Sequence, residues 1–169
     1  LQNCIAKNKL DQALEYIHQI CTDIDNSRVI RYCNNEALNL ILTSYADQAK
    51  ESGIDVRISV TATDFTRFQI TDLCSLFANA LENAIHACEK IPTSEKRYIT
   101  LKVFEKNDRI CINIANNYIQ NPVFENEIPT SHEANHGIGV RSMISVVEKY
   151  HGVYGFFTEN REFRFQASL

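Results

Sequence analysis

Two asparagines one helical turn apart, Asn79 and Asn83, are the first residues in this chain whose type and spacing could do chemistry. They belong to Asp72 to Cys88, DLCSLFANALENAIHAC, which reads as a helix. At about 100° per residue, Leu73, Phe77, Ala80, Leu81, Ala84 and Cys88 fall on one side, and Asp72, Ser75, Asn79, Glu82, Asn83 and His86 on the other. Residues at i and i+4 stack, so the two amides share one stripe. Asparagine competes for nearby backbone groups and is a mediocre helix former. Its amide oxygen can ligate a hard cation such as Mg²⁺, and its NH₂ can donate to a phosphate or an adenine edge. Taken alone, the stripe fits either a solvated helix face or a ligand site.

A second candidate is His136-Gly137-Ile138-Gly139-Val140-Arg141, which opens a helix with Val140, Met143, Ile144, Val147 and Tyr150 inward and Gly152 at its end. A Gly-x-Gly turn there would bring bare backbone N–H groups and the positive helix end close to an anion. Helices also start after glycine for no functional reason. A third candidate is Asn116-Asn117, at the end of a β-rich run, where a sheet either starts a turn or presents groups to a ligand.

The elements that must position these groups follow from periodicity. Asn34 and Asn35 offer N-caps for a helix carrying Leu38, Ile41, Leu42, Tyr45 and Ala49, ended by Gly53 as a left-handed residue. Ile54, Val56, Ile58 and Val60 alternate with polar residues as a half-buried strand. After a polar loop comes the asparagine helix, beginning near Ile70. Tyr98 to Phe104 and Arg109 to Ala115 form a hairpin joined by Glu105 to Asp108, and Val153 to Phe157 with Glu162 to Ala167 form another across Glu159-Asn160. Between them, Asn117 to Asn135 shows no sustained periodicity and suits a lid, a binding segment or disorder. Leu10, Leu14, Ile17, Cys21 and Ile24 make a helix–helix seam at residues 8–25, whose partner lies upstream or in a second copy.

Composition narrows the classes. The 169 residues suit one domain of about 130 residues with an appendage, and an apolar share of 44% supplies a core. A net charge of −4 with no Lys/Arg stripe argues against nucleic acid as a partner. No apolar run approaches the roughly 20 residues of a membrane span, so no direct membrane contact is expected. The six cysteines form no CxxC pair and read as buried free thiols. The first residue is Leu rather than Met, so the chain reads as a fragment.

Three separated features then agree with one family. LFANALENAIHAC resembles the N box of the GHKL ATP-binding superfamily, ANHGIGVRSM resembles its second glycine box, and the element order resembles the Bergerat-type ATP fold. Within that superfamily the chain most resembles the catalytic domain of bacterial sensor histidine kinases of the peptide-sensing, quorum-sensing type, including their helix-Tyr-x-Gly turn at Tyr150-His151-Gly152. The resemblance implies an α+β, two-layer α/β sandwich whose mixed sheet carries helices on one face. It assigns residues 31–169 to the catalytic domain and residues 1–30 to the second helix of a dimerisation and phosphoacceptor hairpin.

Residue by residue, the resemblance implies that Asn83 ligates the Mg²⁺ bridging the phosphates of ATP, with Asn79 beside it. His86 falls where many such kinases place a phosphate-contacting Lys. The box His136, Gly137, Ile138, Gly139 and Val140 matches the backbone that lets the triphosphate approach, and Arg141 stands near enough to add charge. Hydrolytic members carry Glu at the position of Asn79; an amide cannot act as that base, which favours phosphoryl transfer to a side chain. Two departures stand out. The first glycine box, Asp-x-Gly-x-Gly, is replaced by Ile114-Ala115-Asn116-Asn117-Tyr118, leaving Asn116 where the adenine-reading Asp would be. The phosphoacceptor box is missing, so the fragment is expected to bind ATP without autophosphorylating. The implied partners are its own upstream histidine helix, a second copy in a homodimer and a response regulator, in the cytoplasmic part of a membrane-anchored protein. The competing expectation is a degenerate domain acting as an interaction module; a serine-phosphorylating anti-sigma relative fits less well, because it would lack the hairpin helix.

Overall fold

The computed structural model describes residues 30–130 and 136–169. The helix read at residues 8–25, most of the 1–30 assignment, and residues 131–135 of the lid lie outside the described residues.

Helix α1 (Glu36–Glu51) is capped by Asn35, whose side chain accepts from the Leu38 N–H at 3.1 Å. Asn34, the other candidate, instead offers its carbonyl to Arg31. Leu38, Leu42, Ala46 and Ala49 form its buried stripe, and Gly53, at φ +72°, closes it in the left-handed conformation. Strand β1 (Asp55–Val60) follows. Helix α2 (Ile70–Glu89) is the asparagine helix. Its buried stripe takes in Leu76 and Ile85 besides the six apolar positions expected, because it is packed on by α1, by the sheet and by a third helix.

The sheet has the order β1-β2-β3-β7-β6, with β2 (Tyr98–Lys106), β3 (Arg109–Asn117), β6 (Val153–Glu159) and β7 (Glu162–Ser168). Strands β1 and β2 run parallel; every other neighbouring pair is antiparallel. Ile99, Leu101, Val103, Ile110, Ile112, Ile114 and Phe165 join the buried helix residues in one core, while Lys102, Arg164 and Gln166 on the opposite face stay at least partly exposed. This is the expected two-layer α+β sandwich. Among the described residues no helix is long and apolar enough to cross a membrane.

The segment read as a lid or binding loop differs from its expectation. Instead of an irregular segment, it contains a hairpin of β4 (Val123–Glu125) and β5 (Ile128–Thr130). Three residues per strand are too few for a period-2 signal to stand out. All three antiparallel hairpins close on two-residue turns with both residues at positive φ: Asn107-Asp108, Asn126-Glu127 and Asn160-Arg161. The strands therefore run one or two residues further into their connections than periodicity suggested.

Helix α3 (His136–Lys149) ends at His151, which takes φ +53° itself. Gly152 is needed for a different reason: a Cβ there would meet the Ser168 carbonyl at 2.6 Å and the Val147 Cγ1 at 2.8 Å. Two polar clusters tie the helices together. Asp72 Oδ2, at the start of α2, accepts from Lys149 Nζ and from Tyr150 Oη, each at 2.6 Å, and Tyr150 Oη accepts from the Gln69 N–H at 2.8 Å. Near the other end, Arg97 Nη1 donates to the Ser52 carbonyl at the end of α1 (2.9 Å), its Nη2 to that of Glu89 in the last turn of α2 (3.4 Å), and its Nε and Nη2 to that of Ile91. One guanidinium thus satisfies carbonyls at two helix C-termini.

Candidate functional site

A cavity of about 350 Å³ opens between α2, the end of β3, strands β6 and β7, the β4–β5 hairpin and α3. Asn83 and His86 reach it from α2, Asn116 from β3 and Val140 from α3, so four of the residues singled out in the sequence share one wall. Phe156, Phe163 and Phe165 supply an aromatic floor, with ring centroids 5.2 Å apart for Phe156–Phe165 and 6.1 Å for Phe156–Phe163. Phe124 of the hairpin stacks on Phe163 at 6.5 Å and holds the roof, where Pro122, Val123, Pro129 and Thr130 line the cavity. Flat apolar walls with a few convergent polar groups suit a planar heterocycle bearing a polar tail.

The polar groups are constrained. Asn116 is 2% exposed, and its Nδ2 donates to the Asn117 carbonyl at 2.9 Å. Asn83 Nδ2 lies 3.9 Å from the Met143 sulfur, a weak contact that leaves its oxygen available. Asn79 Nδ2 donates to the Ser75 carbonyl at 2.7 Å and contacts Ser75 Oγ at 3.3 Å. Asn79 does not line the cavity. It faces α3 instead, where a Cβ on Gly139 would come within 3.0 Å of Asn79 Oδ1. The absence of a side chain at Gly139 thus lets α3 lie against the asparagine stripe, with Ser75 and Ser142 hydroxyls 3.2 Å apart beside it.

The remaining candidates divide. His136, Gly137 and Gly139 fall in the first turns of α3, not in a separate turn ahead of it. Ile138 is 70% exposed, and Arg141 is exposed too; neither lines the cavity. Sequence reasoning did not single out Lys90, Tyr118, Met143, Phe156, Phe163 and Phe165 as site residues, though all line it. Lys90 was within reach, since it continues the 79, 83, 86 stripe by another turn; the phenylalanines were not, because β6 and β7 come to the cavity only through the sheet order.

The cavity lining contains no carboxylate among the described residues. Among the described residues, no group of three His, Cys, Asp or Glu side chains could hold a metal. A lone amide oxygen at Asn83 is still compatible with Mg²⁺, which commonly keeps several waters and takes substrate phosphate oxygens as ligands. The buried cysteine nearby is inert: burial pushes the Cys88 thiol up to about 11.

The family model described as the GHKL domain matches residues 68–169, from just before α2 to the last residue. The chain belongs to the GHKL domain family. No curated protein matches its sequence. Histidine kinases are among the solved structures similar to this GHKL domain. The nucleotide-free catalytic domain of ThkA is 17% identical with a TM-score of 0.60, covering 80% of this chain and 90% of that one. The mycobacterial sensor histidine kinase MprB is 14% identical at 0.56, covering 79% and 93%. Full-length ShkA in complex with AMPPNP is 15% identical at 0.57, covering 78% and 28%. At these identities the likeness shows a shared fold, and this GHKL domain has the fold of histidine kinase catalytic domains.

Proposed function

We propose that this GHKL domain is the ATP-binding catalytic domain of a two-component sensor histidine kinase of the peptide-sensing, quorum-sensing type. It would deliver the γ-phosphate of ATP to a histidine on an upstream helix, for relay to a response regulator. The observation that carries the reading is the convergence of Asn83, His86 and Asn116 on one aromatic-floored cavity roofed by a hairpin. The AMPPNP bound by ShkA is in keeping with it.

In this reading the base lies against Phe156, Phe163 and Phe165, and the buried Asn116 oxygen accepts from the adenine amino group. The triphosphate runs past Asn83 and His86 toward the N-terminal end of α3, where the helix dipole favours an anion. Lys90, which lines the cavity one turn beyond His86, adds a cation on that path. Asn83 Oδ1 would hold Mg²⁺, which when bound neutralises phosphate charge. Asn79 fixes the distance between α2 and α3 through its contact with Gly139 and, as an amide, cannot activate water. The chain's contribution is orientation, exclusion of water and stabilisation of developing charge. We further propose that residues 1–30 belong to the dimerisation hairpin, that the whole protein is a homodimer anchored to a membrane, and that this part lies in the cytoplasm.

Calorimetric titration with AMPPNP, with and without Mg²⁺, tests the reading. Binding with Kd between about 1 µM and 1 mM, roughly 4 to 8 kcal/mol, and tighter with Mg²⁺, supports it. Asn83→Ala, whose amide makes only a weak contact with Met143, is expected to fold normally and to lose the Mg²⁺-dependent part of the affinity. No heat from a folded wild-type protein at several millimolar analogue would overturn the reading in favour of an interaction module.

A further inference from the structure

The orientation of the Asn116 amide is fixed by an exchange of partners at the end of β3. The β2–β3 ladder stops at the pair Ile99 and Asn116. One step on, the Tyr98 N–H would meet the Asn117 main-chain carbonyl as its ladder partner. Instead it donates to Asn117 Oδ1 at 2.9 Å, while Asn117 Nδ2 donates to the Lys96 carbonyl at 2.7 Å. The Asn117 side chain thus takes its own carbonyl's place in the ladder. The carbonyl it releases accepts Asn116 Nδ2 at 2.9 Å, with Cys88 Sγ approaching at 3.6 Å.

An unanchored asparagine is an ambivalent reader, because rotating the amide by 180° exchanges donor for acceptor. Here that rotation would set Oδ1 against the Asn117 carbonyl, two acceptors at hydrogen-bond distance. It would also abandon a hydrogen bond at a side chain only 2% exposed, where little water can compensate. The amide is thereby held in one orientation, with its oxygen, rather than the bonded nitrogen, turned away from the Asn117 carbonyl. We propose that Asn117 is a positioning residue that holds the Asn116 amide in one orientation, presenting its oxygen to the purine 6-position, so that the cavity distinguishes a 6-amino purine from a 6-oxo purine. This inference rests on the cavity being the nucleotide site. An ionised aspartate presents an acceptor whichever way it turns; here an asparagine presents one because its neighbour fixes the amide.

Paired titrations with ATP and ITP, each with Mg²⁺, test it, since the two share ribose and triphosphate and differ at the base edge. The wild-type protein is expected to bind ATP about tenfold or more tightly than ITP. In Asn117→Ala the Tyr98 N–H can re-form the ladder bond to the carbonyl, releasing the Asn116 amide. The ATP to ITP ratio is then expected to fall below about threefold, with circular dichroism and melting showing a retained fold. A purely structural role would weaken both nucleotides in proportion and leave the ratio unchanged, which overturns the proposal. A wild-type ratio under about threefold overturns it without recourse to any variant. If the wild-type protein binds neither nucleotide, the nucleotide reading of the cavity fails as well, an outcome distinct from binding without discrimination.

Discussion

Replacing Arg97 by alanine is expected to destabilise the domain by about 2 to 3 kcal/mol, a large share of what a domain of this size has in reserve. The estimate comes from the bonds its guanidinium makes. It donates to the Ser52 carbonyl at 2.9 Å, to the Ile91 carbonyl at 2.9 Å from Nε and again from Nη2, and to the Glu89 carbonyl at a longer 3.4 Å. A hydrogen bond to a charged group contributes roughly 1.5 to 3 kcal/mol when buried, but Arg97 is half-exposed and water can replace part of each bond, so about 1 kcal/mol per carbonyl is the fitting figure. A cation at two helix C-termini adds a further few tenths. For a domain of this length, about 3 °C in Tm accompanies each kcal/mol, so the midpoint should drop by about 6 to 9 °C. Differential scanning calorimetry measures this directly. Arg97→Lys keeps the charge and loses the fork, so it should recover less than half of the loss. A variant melting within about 2 °C of the wild type would refute the argument, showing that water replaces the lost bonds at little cost.

Three further outcomes are expected. Gly152→Ala should lower the denaturant midpoint by an amount equivalent to about 1 to 3 kcal/mol, because the added Cβ would press on the Ser168 main chain at 2.6 Å and neither strand nor helix can yield cheaply. The Lys149 ammonium and the Tyr150 hydroxyl hold the Asp72 carboxyl below its usual 3.8, so its stabilising effect is full above that value and fades as pH falls below it. The stability gap between wild type and Asp72→Asn, followed by urea denaturation, should accordingly stay level from about pH 5 upward and close on acidification below about pH 4; a gap that persists at low pH would sink the assignment. Finally, the lid containing the β4–β5 hairpin should become more protected when nucleotide binds; equal hydrogen exchange of residues 118–130 with and without AMPPNP and Mg²⁺ would count against its role as a lid.

Much of this was legible in the sequence, for physical reasons that differ between elements. The asparagine helix announced itself because 20 residues of α2 carry the 3.6 period long enough to separate apolar from polar sides. Its wider buried stripe was not visible, since Leu76 and Ile85 lie on different sides of the helix and are buried only because α1, α3 and the sheet all pack on it. Asn116 stood out as a polar residue ending an apolar strand, but that its amide is locked depends on Asn117 exchanging partners with Tyr98, a contact that no local pattern encodes. The β4–β5 hairpin was missed because three-residue strands leave no periodicity. Gly139 was read as a backbone approach to an anion, and its observed neighbour is Asn79, a long-range packing fact.

The strand order also bears on how this protein behaves at high concentration. Strand β6, VYGFFTE, is outermost in the sheet and contains no lysine, arginine or proline, the residues that natural edges use to discourage a further strand from joining. Val153 and Phe157 on it are 66% and 51% exposed. The opposite edge, β1, carries Asp55 and Arg57, which pair with each other at 3.1 Å. Self-association in concentrated or partly unfolded samples should therefore begin at β6. A lysine at Val153 is the change that would improve solubility without entering the core or the cavity.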